Sequence, residues 1–257
     1  MPDTRLKRLK KFLKQILLRD IRYTLYKTPY PLEKLGTGYG GWIIPAGLLH
    51  AGSVCYLAGA GEDISFDTAL AMRYHSRIFI FDPTPRSKAH FDRLMEAVHN
   101  GIPMPINQQA PREIYELDKE AAALLHFEEI GIWNRTATLK FFAPKDASHI
   151  SHSIANLQDT GTYFEARVER LSEIMRSKAH DSLDLLKIDI EGAEFEVIDS
   201  ILEDKPDIKI LCVEFHTGKD RADGMNRIRE TVKKLERNGY AVIARENFDF
   251  TFMKTNP

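Results

Sequence analysis

A short strand that ends in a glycine turn constrains the fold of this chain more than any other feature. Residues 54–58 form an apolar run with β-branched and aromatic members, which predicts a buried strand. Gly59, Ala60 and Gly61 follow directly, and an apolar pattern typical of a helix begins at Ile64. Glycines permit tight backbone dihedrals and the close approach of a ligand. The segment therefore predicts a strand–turn–helix unit at a nucleotide-cofactor crevice, with the three turn residues in the cofactor site.

The residues around this turn indicate which cofactor fits. A second apolar run ends in Asp82, 23 residues after Gly59 (82 − 59), about the spacing at which open α/β sheets place a carboxylate against ribose hydroxyls. Ile64 stands where a dinucleotide fingerprint has its third glycine, and Glu62 and Asp63 occupy the pyrophosphate position. Two carboxylates repel a diphosphate and tolerate a cation. The turn therefore favours S-adenosylmethionine, which carries a sulfonium and an ammonium but no phosphate, over NAD.

The composition restricts the class of protein. The chain has 257 residues, enough for one large α/β domain. Its net charge of −1 gives no general attraction to nucleic acid, so we expect no nucleic-acid partner. Cys55 and Cys212 lie in predicted strands and form neither a metal motif nor a disulfide framework, which favours a reducing cytoplasm. We expect no membrane span and no signal peptide, because the apolar runs are too short.

Two segments precede the predicted α/β domain. Residues 4–27 predict a basic amphipathic helix, because leucines and isoleucines recur at helical spacing between lysines and arginines. This helix either docks on the domain with a solvated basic face or contacts a partner or an anionic membrane, which would place the protein at the inner membrane surface. Residues 28–52 are rich in glycine and proline and predict a cap over the cofactor pocket, or a surface linker. We place the boundary between residues 1–50 and the main domain, residues 51–257.

The middle of the chain predicts further regular elements. A helix is expected around residues 112–125, and a strand around residues 126–133. A second strand, around residues 139–142, is expected to pair with it. Gly131, within the first of these strands, is added to the predicted cofactor-binding set.

Acidic residues follow two later apolar runs. Asp189 and Glu191 follow one run, and Glu214 and His216 follow the next. In an open α/β sheet, ligands bind at the carboxyl ends of the strands. We therefore expect these four side chains to form the catalytic cluster beside the cofactor. The alternative is that Asp189 and Glu191 cap the following helix and bind its free amides.

Four motifs, taken together and in order, resemble those of the FkbM family of methyltransferases, and the resemblance covers most of residues 50–254. They are Gly59–Asp67, Phe81–Pro85, Leu186–Glu194 and Val213–His216. The resemblance implies a Rossmann-like class I methyltransferase that depends on S-adenosylmethionine, with a mostly parallel seven-stranded sheet and helices on both faces. It also implies O-methylation of a hydroxylated acceptor: a sugar, a glycan or a glycosylated metabolite.

The chemistry of such an acceptor assigns roles to the predicted cluster. A sugar hydroxyl is a poor nucleophile near neutral pH and needs a general base or a metal ion. The base could be His216 or one of the carboxylates. A divalent cation could be held by Asp189 and Glu214, since hard cations prefer oxygen ligands, and the resemblance to sugar O-methyltransferases implies Mg²⁺. Two other functions stay open: a non-catalytic binding module on the same fold, and, less favoured, an NAD-dependent oxidoreductase.

Overall fold

The computed structural model describes residues 23–107, 110–142, 163–218 and 220–255. The strands are β1 (Leu32–Leu35), β2 (Trp42–Pro45), β3 (Val54–Ala58), β4 (Arg77–Phe81), β5 (Pro105–Asn107), β6 (Ala110–Ile114), β7 (Leu125–Glu128), β8 (Gly131–Trp133), β9 (Ala137–Phe142), β10 (Tyr163–Arg170), β11 (Ser182–Ile188), β12 (Asp207–Glu214), β13 (Tyr240–Glu246) and β14 (Asp249–Lys254). The helices are α1 (Ser65–Tyr74), α2 (Pro85–Asn100), α3 (Lys119–Ala122), α4 (Leu171–Ser177), α5 (Glu194–Asp204) and α6 (Arg221–Arg237).

Seven strands form the central sheet, in the order β13-β14-β12-β11-β3-β4-β7. The five strands from β12 to β7 in this order are mutually parallel, and β14 runs antiparallel to both of its neighbours. The strand order reverses between β3 and β11, and open α/β sheets bind their ligands at the carboxyl ends of the strands at such a point. The predicted α/β fold with a mostly parallel seven-stranded sheet is confirmed.

The strands are buried on both faces, and alternate residues contribute to two apolar layers. Tyr56 and Leu186 pack with α4, α5 and α6 on one face. Cys55 and Leu185 pack with α1 and α2 on the other face. A parallel sheet covered on both sides needs such apolar strands, because neither face meets water. Both cysteines are buried and free.

The glycine-rich segment before β3 is more regular than the sequence predicts. β1 and β2 pair as an antiparallel hairpin, and Trp42 and Ile44 are buried. The hydroxyl of Thr251, on β14, donates a hydrogen bond to the carbonyl of Ile43 at 2.6 Å. Burial of alternate residues therefore fixes a strand where the glycines and prolines suggested a loop.

The predicted basic helix lies largely outside the described residues, which begin at Tyr23. For residues 23–27 the helix prediction is wrong, because this part of the chain forms no helix or strand. The backbone N–H of Tyr26 donates to the carbonyl of Val242 on β13 at 2.8 Å, and the ring of Tyr23 packs against Phe250. In the part of the chain that the structure describes, no helix is both long enough and apolar enough to cross a membrane.

Two predictions for the middle of the chain are also wrong. The expected helix at residues 112–125 is replaced by the end of β6, a turn and the short α3, which is capped by the Asp118 carboxylate. The expected strand at residues 126–133 is two strands, of which β7 joins the edge of the central sheet and β8 joins a three-stranded sheet. In that smaller sheet β9 pairs with β10 and not with β7 or β8, because β10 lies between β8 and β9.

Candidate functional site

A cavity of about 800 Å³ opens at the carboxyl ends of β3, β4, β11 and β12. The tip of the β1–β2 hairpin, residues 38–42, and one side of α2 line it as well. All the residues that the sequence assigned to the cofactor and to catalysis line this cavity: Gly59, Ala60, Gly61, Glu62, Asp63, Asp82, Gly131, Asp189, Glu191, Glu214 and His216. The structure therefore brings the predicted site residues together, at the place where the strand order reverses.

The glycine turn brings two strand ends into backbone contact. Gly59 has a φ of +87°, and a Cβ atom placed on it would lie 1.7 Å from the carbonyl oxygen of Asp189. The N–H of Gly59 donates to the carbonyl of Phe81 at 3.0 Å, and the N–H of Asp189 donates to the carbonyl of Ala58 at 3.0 Å. Glycine is required at position 59 by both its φ and this close approach.

Asp82 braces the glycine turn. One oxygen of its carboxylate accepts the N–H groups of Ala60 at 2.9 Å and Gly61 at 3.2 Å. The other accepts the N–H and the hydroxyl of Thr84 at 2.8 and 2.6 Å. The side chain is buried, so these bonds are shielded from water. The predicted contact between Asp82 and ribose hydroxyls stays a prediction. Both carboxylate oxygens of Asp82 already accept hydrogen bonds from the protein, so a ribose hydroxyl would have to donate to an oxygen that is already bonded.

The two acids of the turn are each held by another part of the chain. Glu62 forms ion pairs with Arg86 at 2.7 Å and with Arg93 at 3.9 Å, both on α2. Asp63 accepts the hydroxyl of Thr37 at 2.7 Å and the N–H of Ser65 at 3.0 Å. Asp63 thus ties the hairpin tip to the start of α1. The prediction that both acids lie at the cavity agrees with the structure. The prediction that they are available to a cationic ligand did not include their partners within the protein.

His216 is held by a buried carboxylate. Its Nδ1 atom lies 2.7 Å from Oε1 of Glu194, a side chain with 0% exposure. Its Nε2 atom faces Glu191 at 3.5 Å and Glu214 at 3.9 Å. Burial opposes the charged imidazole, but the hydrogen bond to Glu194 and the surrounding carboxylates raise the pKa of His216 to about 10. The imidazole therefore carries a proton near neutral pH in this structure.

Glu214 lies in a different electrostatic environment. Burial and the neighbouring Asp189 carboxylate raise its pKa to about 8. Single ligand atoms of Asp189, Glu214 and His216 lie within 4.8 Å of one another. The cluster thus brings two carboxylates and a protonated imidazole close enough together for one small ligand to contact all three.

The alternative that Asp189 and Glu191 cap the next helix stays a prediction. α5 begins at Glu194 after Ala193, and Ala193 itself makes no side-chain capping bond. The N–H of Gly192 donates to Oε1 of Glu194 at 2.9 Å. Glu191 has a φ of +55°, a left-handed conformation that is rare outside glycine and that places its carboxylate beside His216.

Comparison with known proteins identifies the family. A sequence model described as the methyltransferase FkbM domain matches residues 57–242, which include the glycine turn and the acidic cluster. The chain belongs to the FkbM methyltransferase family. This membership confirms the resemblance given by the four motifs and supports methyltransferase activity.

One relative and two solved structures illustrate the similarity. The 31-O-demethyl-FK506 methyltransferase FkbM of Streptomyces tacrolimicus is 31% identical over 102 residues, which are 39% of this chain and 37% of that protein. The Methanococcus jannaschii fibrillarin pre-rRNA processing protein has 9% identity and a TM-score of 0.44, over 90% of this chain and 86% of that one. The N-terminal domain of human METTL16 in complex with SAH has 10% identity and a TM-score of 0.37, over 79% and 61%. At these TM-scores the likeness carries no argument about this chain.

Two residues of this FkbM-family site were missed from the sequence, although each left a signal. Lys187 is a charged residue next to the end of a mostly apolar strand, and charged side chains are almost never fully buried unless they are paired. Glu194 belongs to the third motif, where its place in the first helical turn predicts either a helix N-terminal charge or a salt-bridge partner. The structure identifies that partner as His216, which is 22 residues further along the chain and could not be named from the sequence.

A third group on the α2 side of the cavity carried no sequence signal. His90 Nε2 lies 2.8 Å from the hydroxyl of Tyr115, which also accepts the N–H of Ile64 at 3.1 Å. Burial lowers the pKa of His90, which favours the neutral ring in its hydrogen bond with the Tyr115 hydroxyl. This chain of bonds fixes the backbone at the start of α1. The residues come from three separate elements, so their contact depends on the fold.

Proposed function

We propose that this FkbM-family chain transfers the methyl group of S-adenosylmethionine to a hydroxyl of a sugar, a glycan or a glycosylated metabolite. The observation that carries the proposal is the cavity itself, in which a glycine turn and a cluster of ionisable groups lie at adjacent strand ends. The relative named for a 31-O-demethyl substrate supports methylation at an oxygen. Membership of the FkbM methyltransferase family supports this choice of cofactor.

The residues present fit such a cofactor. The cavity volume of about 800 Å³ lies in the range of small-molecule sites and leaves room for an acceptor beside the cofactor. The turn at Gly59, Ala60 and Gly61 allows close approach of the ligand. Bound there, S-adenosylmethionine supplies an electrophilic methyl group on a sulfonium. Asp189 at the end of β11 and Gly59 at the end of β3 would then flank the reacting atoms.

The hydroxyl proton of the acceptor must be removed by a group on the acceptor side of the cavity. Methyl transfer joins the hydroxyl oxygen to the methyl carbon, breaks the carbon–sulfur bond and leaves the electron pair on sulfur. The hydroxyl proton passes to a side chain of the protein. We assign this role to Asp189, because His216 already carries a proton near neutral pH and burial favours the protonated form of Glu214. Glu191 and His216 then orient the acceptor.

The donor set does not select Mg²⁺. Asp189 and Glu214 are oxygen ligands of the kind that Mg²⁺ uses, but the protonated imidazole of His216 lies among the carboxylates and competes with a cation for them. We route no step through a metal ion. The Mg²⁺ prediction from the sequence is tested by titrating S-adenosylhomocysteine in the presence of EDTA and again with added Mg²⁺; an affinity or turnover that requires Mg²⁺ would restore it.

Isothermal titration of the purified chain with S-adenosylhomocysteine tests the cofactor first. We expect micromolar binding. The second step is turnover of S-adenosylmethionine against a panel of neutral glycosides and glycosylated metabolites, read as incorporation of a labelled methyl group. The Asp189→Asn variant keeps the side-chain shape and should bind S-adenosylhomocysteine while losing turnover at least tenfold. Normal turnover by this variant would overturn its assigned role.

Two other functions are outcomes of the same experiments. Binding of S-adenosylhomocysteine without methyl transfer to any acceptor would favour a non-catalytic binding module. Tight binding of NADH, followed by fluorescence, would favour an oxidoreductase, although the third glycine of the dinucleotide fingerprint is absent. Failure to bind either ligand would overturn the proposed cofactor.

The membrane contact proposed for residues 4–27 is a separate question. Leu25 and Tyr26 are more than 40% exposed, close to the start of the described chain. Vesicle sedimentation with and without anionic lipid tests this contact. Binding to neither kind of vesicle would favour a solvated basic segment instead.

A further inference from the structure

Lys187 is a buried cation at the centre of the cofactor site. Its side chain is 6% exposed, yet it reaches the cavity wall from the penultimate position of β11. Its Nζ atom donates to the carbonyl of Gly59 at 2.6 Å and lies 3.4 Å from Oδ2 of Asp189. One ammonium group therefore contacts both strand ends that border the crevice.

A second carboxylate lies behind this ammonium. Asp67, on α1, is 2% exposed, and its Oδ1 atom has no hydrogen-bond partner among the described residues. Asp67 and Lys187 influence each other electrostatically, and burial of Asp67 raises its pKa to about 6. The lysine charge is thus shared between a carboxylate that faces the cavity, Asp189, and one that does not.

A purely structural lysine would need one carboxylate partner to offset its burial. Lys187 instead has a third contact, the carbonyl of Gly59, which belongs to the turn whose N–H groups bind Asp82. The orientation of that peptide group sets the direction in which the neighbouring amides point. The same ammonium restrains the Asp189 carboxylate on the opposite side of the crevice. Loss of the ammonium would release both groups at once, while Gly59 and Asp189 themselves stay unchanged.

We propose that Lys187 is a positioning residue that holds the Gly59 carbonyl and the Asp189 carboxylate at a fixed separation, and so aligns the cofactor with the acceptor. This inference rests on the proposed cofactor, S-adenosylmethionine. Lys187 acts through Gly59 and Asp189, and it takes no part in proton transfer.

The test must separate positioning from stability. Lys187→Met keeps the aliphatic stem and removes the ammonium, but it leaves Asp67 buried without a cation, so this variant is expected to lose stability. Lys187→Met combined with Asp67→Asn removes both charges and should recover most of the lost melting temperature. Affinity for S-adenosylhomocysteine and S-adenosylmethionine is then measured for the folded double variant by isothermal titration. We expect both affinities to fall at least tenfold, by similar factors, while Asp67→Asn alone binds as the parent chain does.

A matched lysine controls for the loss of an ion pair from the same sheet. Lys209 on β12 pairs with Asp184 on β11 at 2.7 Å, at the end of the strand away from the cavity. Lys209→Met should lower the melting temperature and leave both affinities unchanged. S-adenosylhomocysteine lacks the methyl group of S-adenosylmethionine and, with it, the sulfonium charge. If the double variant changed the affinity for S-adenosylmethionine alone, Lys187 would act on the sulfonium charge of that ligand. This result would overturn the positioning role.

Two further results have distinct meanings. If the folded double variant binds both ligands as the parent chain does, Lys187 is structural and the inference fails. If the parent chain itself binds neither ligand, the proposed cofactor fails, and the inference falls with it.

Discussion

Glu194 and His216 form a buried carboxylate–imidazole pair, with 2.7 Å between Oε1 and Nδ1. The side chain of Glu194 has no exposure, and a buried carboxylate is tolerated only when it is paired and hydrogen-bonded. Gly192 and His216 supply the two bonds that its Oε1 atom accepts. Because Nδ1 is engaged by Glu194, the opposite ring atom, Nε2, must face the carboxylates of the cavity. The pair therefore joins the start of α5 to the end of β12 and fixes one wall of the site.

This pair should make stability depend on pH in a defined direction. The pKa of His216 is raised from 6.5 to about 10, so the stabilisation is complete below pH 6.5 and is lost as the pH rises through 10. Glu194→Gln removes the charge that sustains the shift. We expect it to reduce the free energy of unfolding by about 3 kcal/mol at pH 6. The difference from the parent chain should shrink towards pH 10, as measured by urea unfolding.

An acid on the same helix controls for this effect. Glu196 pairs with Arg227 at 2.7 Å, and both side chains are about 40% exposed. Exposed pairs contribute between about 0 and 1 kcal/mol, so Glu196→Gln should change stability little at either pH. A pH-independent loss of stability in Glu194→Gln would show that packing, and not the ion pair, accounts for the effect.

The sequence predicted which residues meet but not how they are bonded. Asp82, Asp189 and Glu214 follow apolar runs, and parallel strands bring their carboxyl ends to one edge, so the cluster could be inferred from the strand pattern alone. The hydrogen-bond partners could not be inferred. Glu62 pairs with α2, and Asp63 bonds to the β1–β2 hairpin. Both elements pack over the turn from other parts of the chain, so the sequence around the turn does not name these partners.

The errors in secondary structure have a related cause. Residues 112–125 contain helix-forming alanine and glutamate, but pairing of β6 with β5 fixes the first part as a strand, and tertiary contacts override weak local preference. Residues 126–133 contain four apolar residues, Phe127, Ile130, Ile132 and Trp133, and this pattern does not show which sheet each part of the segment joins. In both places the outcome depended on which strand was available to pair.

Gly59 should be far less tolerant of substitution than a glycine of similar backbone conformation. Its φ is +87°, and a Cβ atom would lie 1.7 Å from the carbonyl oxygen of Asp189. Gly47 has a φ of +81°, but a Cβ atom there meets no atom within 4 Å. Gly47→Ala should cost about 1–2 kcal/mol for the left-handed conformation alone. Gly59→Ala should cost several times more and abolish binding of S-adenosylhomocysteine, as measured by urea unfolding and titration. Equal losses in the two variants would contradict the close approach.

Asp82 should be required for the shape of the turn. Asp82→Asn replaces one carboxylate oxygen with an amide that cannot accept a hydrogen bond, so either the Ala60 and Gly61 amides or the Thr84 donors lose a partner. A buried donor left without its partner costs about 1–3 kcal/mol. We therefore expect a tenfold or greater loss of affinity for S-adenosylhomocysteine, measured by titration. Asp92→Asn, which removes an exposed pair with Lys88 on α2, should bind normally. Normal binding by Asp82→Asn would show that the turn holds its shape without the carboxylate.

Thr37 should control how long the cofactor stays bound. Its hydroxyl donates to Asp63 at 2.7 Å and accepts the N–H of Gly40 at 2.9 Å, so it holds the hairpin tip, residues 38–42, against the cofactor turn. The hydroxyl also accepts the N–H of Tyr39 at 3.2 Å. Thr37→Val keeps the volume and removes all three bonds, each of which contributes about 0.5–1.5 kcal/mol. We expect S-adenosylhomocysteine to dissociate roughly tenfold faster, with little change in association rate, in a stopped-flow displacement experiment. Thr28→Val, on the segment before β1, removes a threonine hydroxyl that accepts the N–H of Tyr30 and should leave dissociation unchanged. Unchanged dissociation in Thr37→Val would mean that the hairpin tip does not restrain the ligand and that Asp63 serves only to start α1.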